Sequence, residues 1–503
     1  VEQAMAEIFR NYIGGEWKTA LKGETFASTN PARESEVVGI FQRSTAEDVA
    51  LAVDAAVRAR AMWRAVPVPE RGDILYRVAR LLEQHKEELA RLETREMGKV
   101  LAEGRGDVQE AIDMATYIAA EGRRFFGHTI PSELRDKFCM TVRQPLGVVG
   151  LITPWNFPVA IPCWKLMPAL LCGNSMVFKP AEDTPACATR LVELLIEAGI
   201  PAGVVNLVTG YGEEAGEPLL HDARVSAISF TGSTEVGRHI AETCGRNLKR
   251  VSLEMGGKNA IVVMNDADLD LAIDGAVWGG FGTTGQRCTA ASRLIVQRGV
   301  LKEVQDRLVA RAEALRVGDG MEAGMDMGPL VNRTQLQRVH DYTGIGEAEG
   351  ARLLTGGHIL SEGGLGEGNF YAPTIFGEVT PRMRIAQEEI FGPTVSVMPV
   401  DTFEDALAVA NSTNYGLSLA IYTHDVNRAF RAINELEAGI VYVNAPTIGA
   451  EIQLPFGGIK GTGNGHREAG PSAIEEYSEL KSVFVDYSGH LQRAQIDNRP
   501  AQA

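Results

Sequence analysis

Residues 147–210 read GVVGLITPWNFPVAIPCWKLMPALLCGNSMVFKPAEDTPACATRLVELLIEAGIPAGVVNLVTG. Three short apolar runs, GVVGLIT, SMVFKP and VVNLVTG, are separated by helical segments, of which TRLVELLIEAG is the clearest. Short strands that alternate with helices pair in parallel, because each helix carries the chain back to the same end of the sheet. Two further strands, VSAISFTG and NAIVV, extend the series. A second series follows: RLIVQ, a helix near 302–315, TVSVMPV, LSLAIYT and GIVYVN. The pattern predicts an α/β fold with two doubly wound, Rossmann-like domains. Upstream, the first ~125 residues read as helical after a short β start. Ser44-Thr45-Ala46-Glu47 has the form of a capping box opening a helix that runs toward Trp63. Pro69 opens an amphipathic stretch with Ile74, Val78, Leu81, Leu82 and Leu89 near helical spacing, interrupted at Gly98.

The chain has 503 residues, which sets a prior of roughly three domains. It carries 49 basic and 65 acidic residues, a net charge of −16. A surface this acidic argues against non-specific nucleic-acid binding and against docking on anionic lipid. No apolar run reaches the ~18–20 residues of a membrane span. The N-terminal VEQAMAEIFRNYIGG lacks the basic and apolar regions of a secretory signal, so the cytoplasm is the expected compartment. Six cysteines (139, 163, 172, 187, 244 and 288) show no CxxC or Cys/His spacing. Neither a disulfide framework nor a metal site is expected. The last residues, SGHLQRAQIDNRPAQA, are polar and unpatterned. They are either disordered or reach across a subunit interface.

Several turns carry chemistry-bearing residues. ISFTGSTEVG runs strand, turn, helix, with Gly232 and Ser233 at a helix start suited to a pyrophosphate. The spacing is not GxGxxG, and a plain βα turn explains it equally well. Lys179 and Glu182, after SMVF, sit where α/β sheets bind ligands, and a carboxylate there accepts both hydroxyls of a ribose. A solvated turn is the simpler reading of that pair. In TPWNFP, Asn156 offers an NH₂ to a developing oxyanion, or the segment is a rigid turn around Trp155. GTTGQRCT places Cys288 in a glycine-rich turn, whereas the other five cysteines lie in packing contexts. LEMGGKN adds Glu254 beside two glycines, and a Glu near a nucleophilic Cys serves as general base.

In this order, PWNFP, KPAE, FTGSTEVG, LEMGGKN, GQRCT, EEIFGP, NYGLSLAIYT and PFGGIKGTG resemble the aldehyde dehydrogenase superfamily, over about residues 11–487. The resemblance implies a nucleotide-binding domain (1–126 and 146–255) and a catalytic domain (256–460). It also implies a small β oligomerisation arm (127–145 and 478–488) followed by a polar tail (489–503). Such subunits form homodimers or homotetramers. Cys288 would attack an aldehyde, with the oxyanion held by the Asn156 side chain and the Cys288 backbone N–H. Hydride would leave for the nicotinamide, and Glu254 would activate water to hydrolyse the thioester. Lys165 matches a lysine said to relay protons with this Glu. Thr153 and Trp155 would line the cofactor cleft. Lys179 and Glu182 would hold the adenosine ribose, Gly232 and Ser233 the pyrophosphate, Glu389 the nicotinamide ribose, and Phe391 would pack beside it. Glu182 favours NAD, with NADP possible for some members bearing this Glu. The general-base Glu favours hydrolysis over acyl transfer to CoA.

The aldehyde itself is less legible. Glu110 and Arg287 look similar to positions that antiquitin-type semialdehyde dehydrogenases use to grip an amino acid end, and GAEI (449–452) matches that group's loop. QLPFGG departs from its glycine-rich continuation. Trp155, Trp164, Thr289 and Phe456 suggest a mostly apolar tunnel, which favours broad aldehyde oxidation over one specific semialdehyde. A thiol esterase using Cys288 and Glu254, and a non-catalytic structural protein on this fold, are the alternatives from other classes.

Overall fold

The computed structural model describes residues 7–497. The start of the N-terminal reading (1–6) and the end of the polar tail (498–503) lie outside the described residues.

Two seven-stranded sheets form the frame. In spatial order the first contains Arg250–Glu254, Val225–Thr231, Val148–Ile152, Ser175–Lys179, Val205–Leu207, Asn11–Ile13 and Glu16–Lys18. The first five strands are parallel, and the last two form an antiparallel hairpin on the edge. From Val148–Ile152 the chain builds outward on one side, then returns to add Val225–Thr231 and Arg250–Glu254 on the other. The order therefore reverses between Val148–Ile152 and Val225–Thr231, and ligands bind at the C-terminal ends of the strands beside such a reversal. The strands are apolar throughout because helices cover both faces. Ser175–Lys179 is buried at every position. Helix Ala160–Cys172 is buried on nearly all sides and adds Leu166, Met167 and Leu170 to the core. Full burial of one such side chain stabilises by about 1.5–3 kcal/mol.

The second sheet contains Arg352–Thr355, Thr374–Gly377, Thr394–Val400, Ala291–Gln297, Asn259–Val263, Ser418–Tyr422 and Ile440–Val443. All are parallel except Arg352–Thr355. The doubly wound α/β reading holds for both sheets.

The N-terminal region differs from expectation in two respects. Its β start is long, including the hairpin Thr25–Asn30/Arg33–Gln42. The helix cap also lies one residue later. Ser44 is buried and its Oγ takes a hydrogen bond from Asn11 Nδ2 at 2.7 Å, so it belongs to the sheet side. Thr45 is the last extended residue, and its N–H donates to Asp48 Oδ2 at 3.0 Å. Four helices follow: Ala46–Ala65, Val68–Gln84, Lys86–Met97 and Leu101–Glu121. Gly98 ends the third in a left-handed conformation (φ 94°), and a Cβ there would lie 2.7 Å from Pro329 Cγ. Only glycine fits both demands.

A separate three-stranded sheet joins Thr129–Ile130, Lys137–Pro145 and Ser478–Asp486. The last two pair antiparallel over nine residues from distant parts of the chain. Phe138, Leu480, Phe484, Val485 and Tyr487 are exposed on and beside it. The described part of the tail lies over this sheet's turn, where Gln492 Nε2 donates to Arg135 O at 2.7 Å. Among the described residues no helix is long and apolar enough to cross a membrane.

Candidate active site

The C-terminal edge of the first sheet faces the N-terminal edge of the second. Glu254 ends a strand of one and Asn259 begins a strand of the other, so residues 255–258 bridge the cleft. Cys288 stands on the second sheet's side, just before strand Ala291–Gln297. Asn259 Nδ2 donates to Cys288 O at 2.7 Å and to Ala290 O at 3.0 Å, which fixes the cysteine's backbone.

The turn before Cys288 is strained. Thr283 (φ 50°), Thr284 (φ 58°) and Gly285 (φ 66°) are all left-handed, a costly conformation for two threonines. Hydrogen bonds hold it. Thr283 N–H donates to Glu103 Oε1 at 2.7 Å, Thr284 Oγ1 to Gly328 O at 3.0 Å, and Val331 N–H to Gln286 Oε1 at 3.0 Å. From across the cleft, Asn156 Nδ2 donates to Gln286 O at 3.0 Å. An amide NH₂ carries two hydrogens, so one is left for another acceptor.

A cavity of about 240 Å³ opens at the strand-order reversal. Trp155, Asn156, Gly232, Ser233, Cys288, Glu389 and Phe391 line it, with Gln335 and Arg338. Ser233 caps helix Thr234–Arg246, its Oγ accepting from Val236 N–H at 3.3 Å. Trp155 and Phe391 meet edge to face at 5.4 Å. Glu389 Oε1 accepts the Gly257 N–H at 2.8 Å. A Cβ on Gly256 would come within 2.2 Å of Glu389 Oε2, so the carboxylate seats directly on glycine backbone. Thr153, Lys179 and Glu182 lie off this cavity at the next strand ends. There Thr153 N–H donates to Lys179 O at 3.3 Å, and Lys179 Nζ pairs with Glu182 at 3.0 Å. A helix start, a switch-point cavity and a carboxylate at each end suit an elongated dinucleotide.

A smaller cavity of about 110 Å³ lies on the other side of Cys288. Glu254, Cys288, Thr289, Trp164, Phe456, Glu110 and Arg287 are among its walls. Trp164 and Phe456 meet edge to face at 4.9 Å, and Trp164 Nε1 has no partner among the described residues. Among the described residues lining this cavity, Arg287 is the one cation. Its Nε donates to Thr283 Oγ1 at 2.8 Å, and its Nη2 lies 3.3 Å from Glu103. Arg287, Glu110 and Phe157 also wall an outer cavity of about 650 Å³. The small cavity thus has a charged threshold.

Neither carboxylate oxygen of Glu254 has a hydrogen-bond partner among the described residues. Burial, then the neighbouring Glu468, pushes its carboxyl well above the ordinary range. A carboxyl raised in this way holds a proton more readily than an ordinary glutamate, as a general base requires. Burial, then Glu254, Glu389 and Glu110, pushes the Cys288 thiol up to about 12. The thiolate therefore needs a base or added positive charge beside it. Burial lowers Lys258 to about 7, and its Nζ has no hydrogen-bond partner among the described residues. Lys165 does not meet Glu254 directly. Its Nζ pairs with Glu468 and donates to Ser229 Oγ at 3.0 Å. Glu468 and Glu103 were not singled out from sequence, since isolated acids in polar stretches carry no local signal. Glu468 reaches the site only because the 456–468 hairpin folds it back, with Phe456 N–H donating to Glu468 O at 2.6 Å. Among the described residues all six cysteines are free, and no cluster of three acids, histidines or cysteines stands ready for a metal.

A switch-point cavity that suits a dinucleotide and meets a cysteine beside a buried carboxyl group is the arrangement expected of an aldehyde-oxidising oxidoreductase. The chain belongs to the aldehyde dehydrogenase family, whose model matches residues 17–483. It is 44% identical over 477 residues to the alpha-ketoglutaric semialdehyde dehydrogenase of Bacillus subtilis (strain 168), covering 95% of this chain and 98% of that one. It is 41% identical over 482 residues to the NADP(+) succinate-semialdehyde dehydrogenase GabD of Escherichia coli (strain K12), covering 95% and 98%. The crystal structure of betaine aldehyde dehydrogenase from Staphylococcus aureus in complex with NAD+ superposes with a TM-score of 0.94 at 36% identity, covering 96% of each chain.

Proposed function

We propose that this aldehyde dehydrogenase oxidises a short semialdehyde with an acidic far end to the dicarboxylic acid, using NAD or NADP and water. Arg287, the one cation among the described lining residues of the small cavity, carries this reading. The Trp164 N–H, unpartnered among the described residues, adds a donor for a keto or carboxylate oxygen. Two relatives named for semialdehydes that end in a carboxylate support the choice. Oxidation of a broad set of neutral aldehydes, which the apolar walls alone favour, becomes the second reading.

In this reading Cys288 gives its thiol proton to water in the cavity, and the thiolate Sγ adds to the aldehyde carbon. The oxyanion takes hydrogen bonds from the free Asn156 N–H and from the Cys288 backbone N–H. Trp155, Gly232, Ser233, Glu389 and Phe391 hold the dinucleotide, with Lys179 and Glu182 at its ribose end. Bound there, the nicotinamide supplies the hydride acceptor and a positive charge near Sγ. Glu254 takes a proton from water, which then cleaves the Cys288 thioester. Cys288 leaves as the thiol and the acid is released. Glu468, which lines the same cavity as Glu254 and is held by Lys165, accepts the proton next. The NAD preference is weaker than Glu182 alone suggests, because Lys179 neutralises it at 3.0 Å. The protein works as a homodimer or homotetramer in the cytoplasm, with the exposed apolar strand Ser478–Asp486 at a subunit contact.

The test is NADH or NADPH formation with alpha-ketoglutaric, succinic and glutaric semialdehydes against neutral aldehydes of equal length. Acid-bearing substrates should have the higher kcat/KM. Arg287→Ala should erase about tenfold or more of that advantage, the weight of one charge-assisted contact. An unchanged ratio removes Arg287 from the role. Ester cleavage without reduced cofactor would instead support a thiol esterase.

A further inference from the structure

Among the described residues the Asn156 side chain makes one hydrogen bond, to Gln286 O, and the residue after it is gripped far more firmly. Lys99 is completely buried, and its Nζ sits 3.9 Å from the centroid of the Phe157 ring. The same Nζ is 3.0 Å from Asp107 Oδ2 and 2.5 Å from Glu93 Oε1, both buried. Asp107 has a second role. Its other oxygen, Oδ1, accepts the Ala160 N–H at 2.6 Å, at the start of helix Ala160–Cys172. Arg287 packs against the same Phe157 ring at 5.3 Å. Phe157 is half-buried and Lys99 fully so, and a desolvated cation over an aromatic face is worth more than an exposed one. A buried lysine held by two carboxylates has little freedom to move.

We propose that Lys99 and Asp107 are positioning residues for the oxyanion step. Lys99 clamps the Phe157 ring and Asp107 clamps the helix start at Ala160, so residues 156–160 are fixed from both ends. Asn156 is thereby aimed at the carbonyl oxygen that reacts at Cys288. The pair lies in the helical N-terminal region, and neither residue lines the cavities beside Cys288 except through this contact. The inference rests on Asn156 being the oxyanion donor.

Lys99→Met removes the cation and Lys99→Arg keeps it. Removing one member of a buried charge cluster destabilises strongly. Phe157→Leu, which leaves Lys99, Glu93 and Asp107 paired, is therefore the second probe. Two rates are measured on each folded variant: the pre-steady-state burst of NADH, and alkylation of Cys288 by iodoacetamide. Alkylation displaces iodide from a saturated carbon and forms no oxyanion, so it reads access and nucleophilicity of the thiol only. The expected result is a burst rate lower by about 10- to 100-fold in Lys99→Met and Phe157→Leu, since loss of a whole oxyanion donor costs ~10²–10³. Alkylation should stay within twofold, and Lys99→Arg should recover most of the burst. In an Asn156→Ala background, Lys99→Met or Phe157→Leu should add almost nothing. Equal losses in burst and alkylation, or an undiminished effect in the Asn156→Ala background, would overturn the proposal. If Asn156→Ala alone leaves the burst unchanged, the underlying oxyanion assignment fails instead.

Discussion

Raising the pH should turn the enzyme against acid-bearing aldehydes before neutral ones. Glu110 borders both the small cavity beside Cys288 and the outer one, across the threshold formed by Arg287 and Phe157. Burial pushes its carboxyl up to about 8, with Asp107 reinforcing the shift and Arg287 and Lys99 opposing it. At pH 7 about a tenth of Glu110 is ionised, and at pH 9 about nine-tenths. A neutral Glu110 leaves Arg287 available to a substrate carboxylate and can donate to it. An ionised one competes for Arg287 and repels the substrate. Between pH 7 and 9, kcat/KM for a carboxylate-bearing aldehyde should fall about tenfold relative to a neutral aldehyde of equal length. The ratio matters because Cys288 and Glu254 titrate identically for both substrates and cancel. Initial rates of NADH formation at five pH values, for wild type and Glu110→Gln, provide the measurement. The variant should give a flat ratio. A wild-type ratio constant within twofold, or one that falls equally in Glu110→Gln, refutes the reasoning. Stability offers an independent check of sign. The folded value lies above the ordinary 4.5, so the native state keeps a proton that the unfolded chain gives up. This contribution to stability is complete below about 4.5 and is lost as pH rises toward 8, by at most ~1.4 kcal/mol per pH unit. The Tm of Glu110→Gln should therefore gain on wild type from pH 5 to pH 8.

Three further outcomes are expected. Glu254→Gln should retain a burst of NADH near one per active site while the steady state falls by ~10²-fold or more, because acylation proceeds without the base and hydrolysis does not; rapid-mixing absorbance decides it, and an unchanged steady-state rate removes Glu254 from the role. Glu182→Gln should raise kcat/KM for NADP about tenfold and lower that for NAD, since it frees Lys179, 3.0 Å away, for a 2′-phosphate; parallel titrations with the two cofactors test this. Phe484→Asp, on the exposed face of strand Ser478–Asp486, should shift sedimentation toward monomer, with far-UV circular dichroism unchanged.

Local chemistry is written in the chain. The alternation of apolar runs and helices between 147 and 297 already implies parallel pairing, since each strand is too apolar to face water on either side. Strand ends show as well: Lys179 and Glu254 are the last residues of their strands, and Ser233 caps the helix that follows. The N-terminal cap was misplaced by one residue for a reason no window around it contains. Ser44 is claimed by Asn11, 33 residues away.

The same limit governs the site. Cys288 and Glu254 are recognisable as reactive types in glycine-rich turns. Their meeting in one cavity follows from the two sheets closing edge to edge around residues 255–258. The strain at Thr283 and Thr284 has no compositional mark, because threonine ordinarily avoids that conformation and only distant partners such as Glu103 hold it there. Lys99, Glu103, Asp107 and Glu468 read as ordinary charged residues of surface helices and loops until packing takes them out of water. Burial alone then changes what they do. A carboxylate or ammonium that cannot be hydrated must find a partner or a proton, and which partner lies within 3 Å is a property of the folded chain.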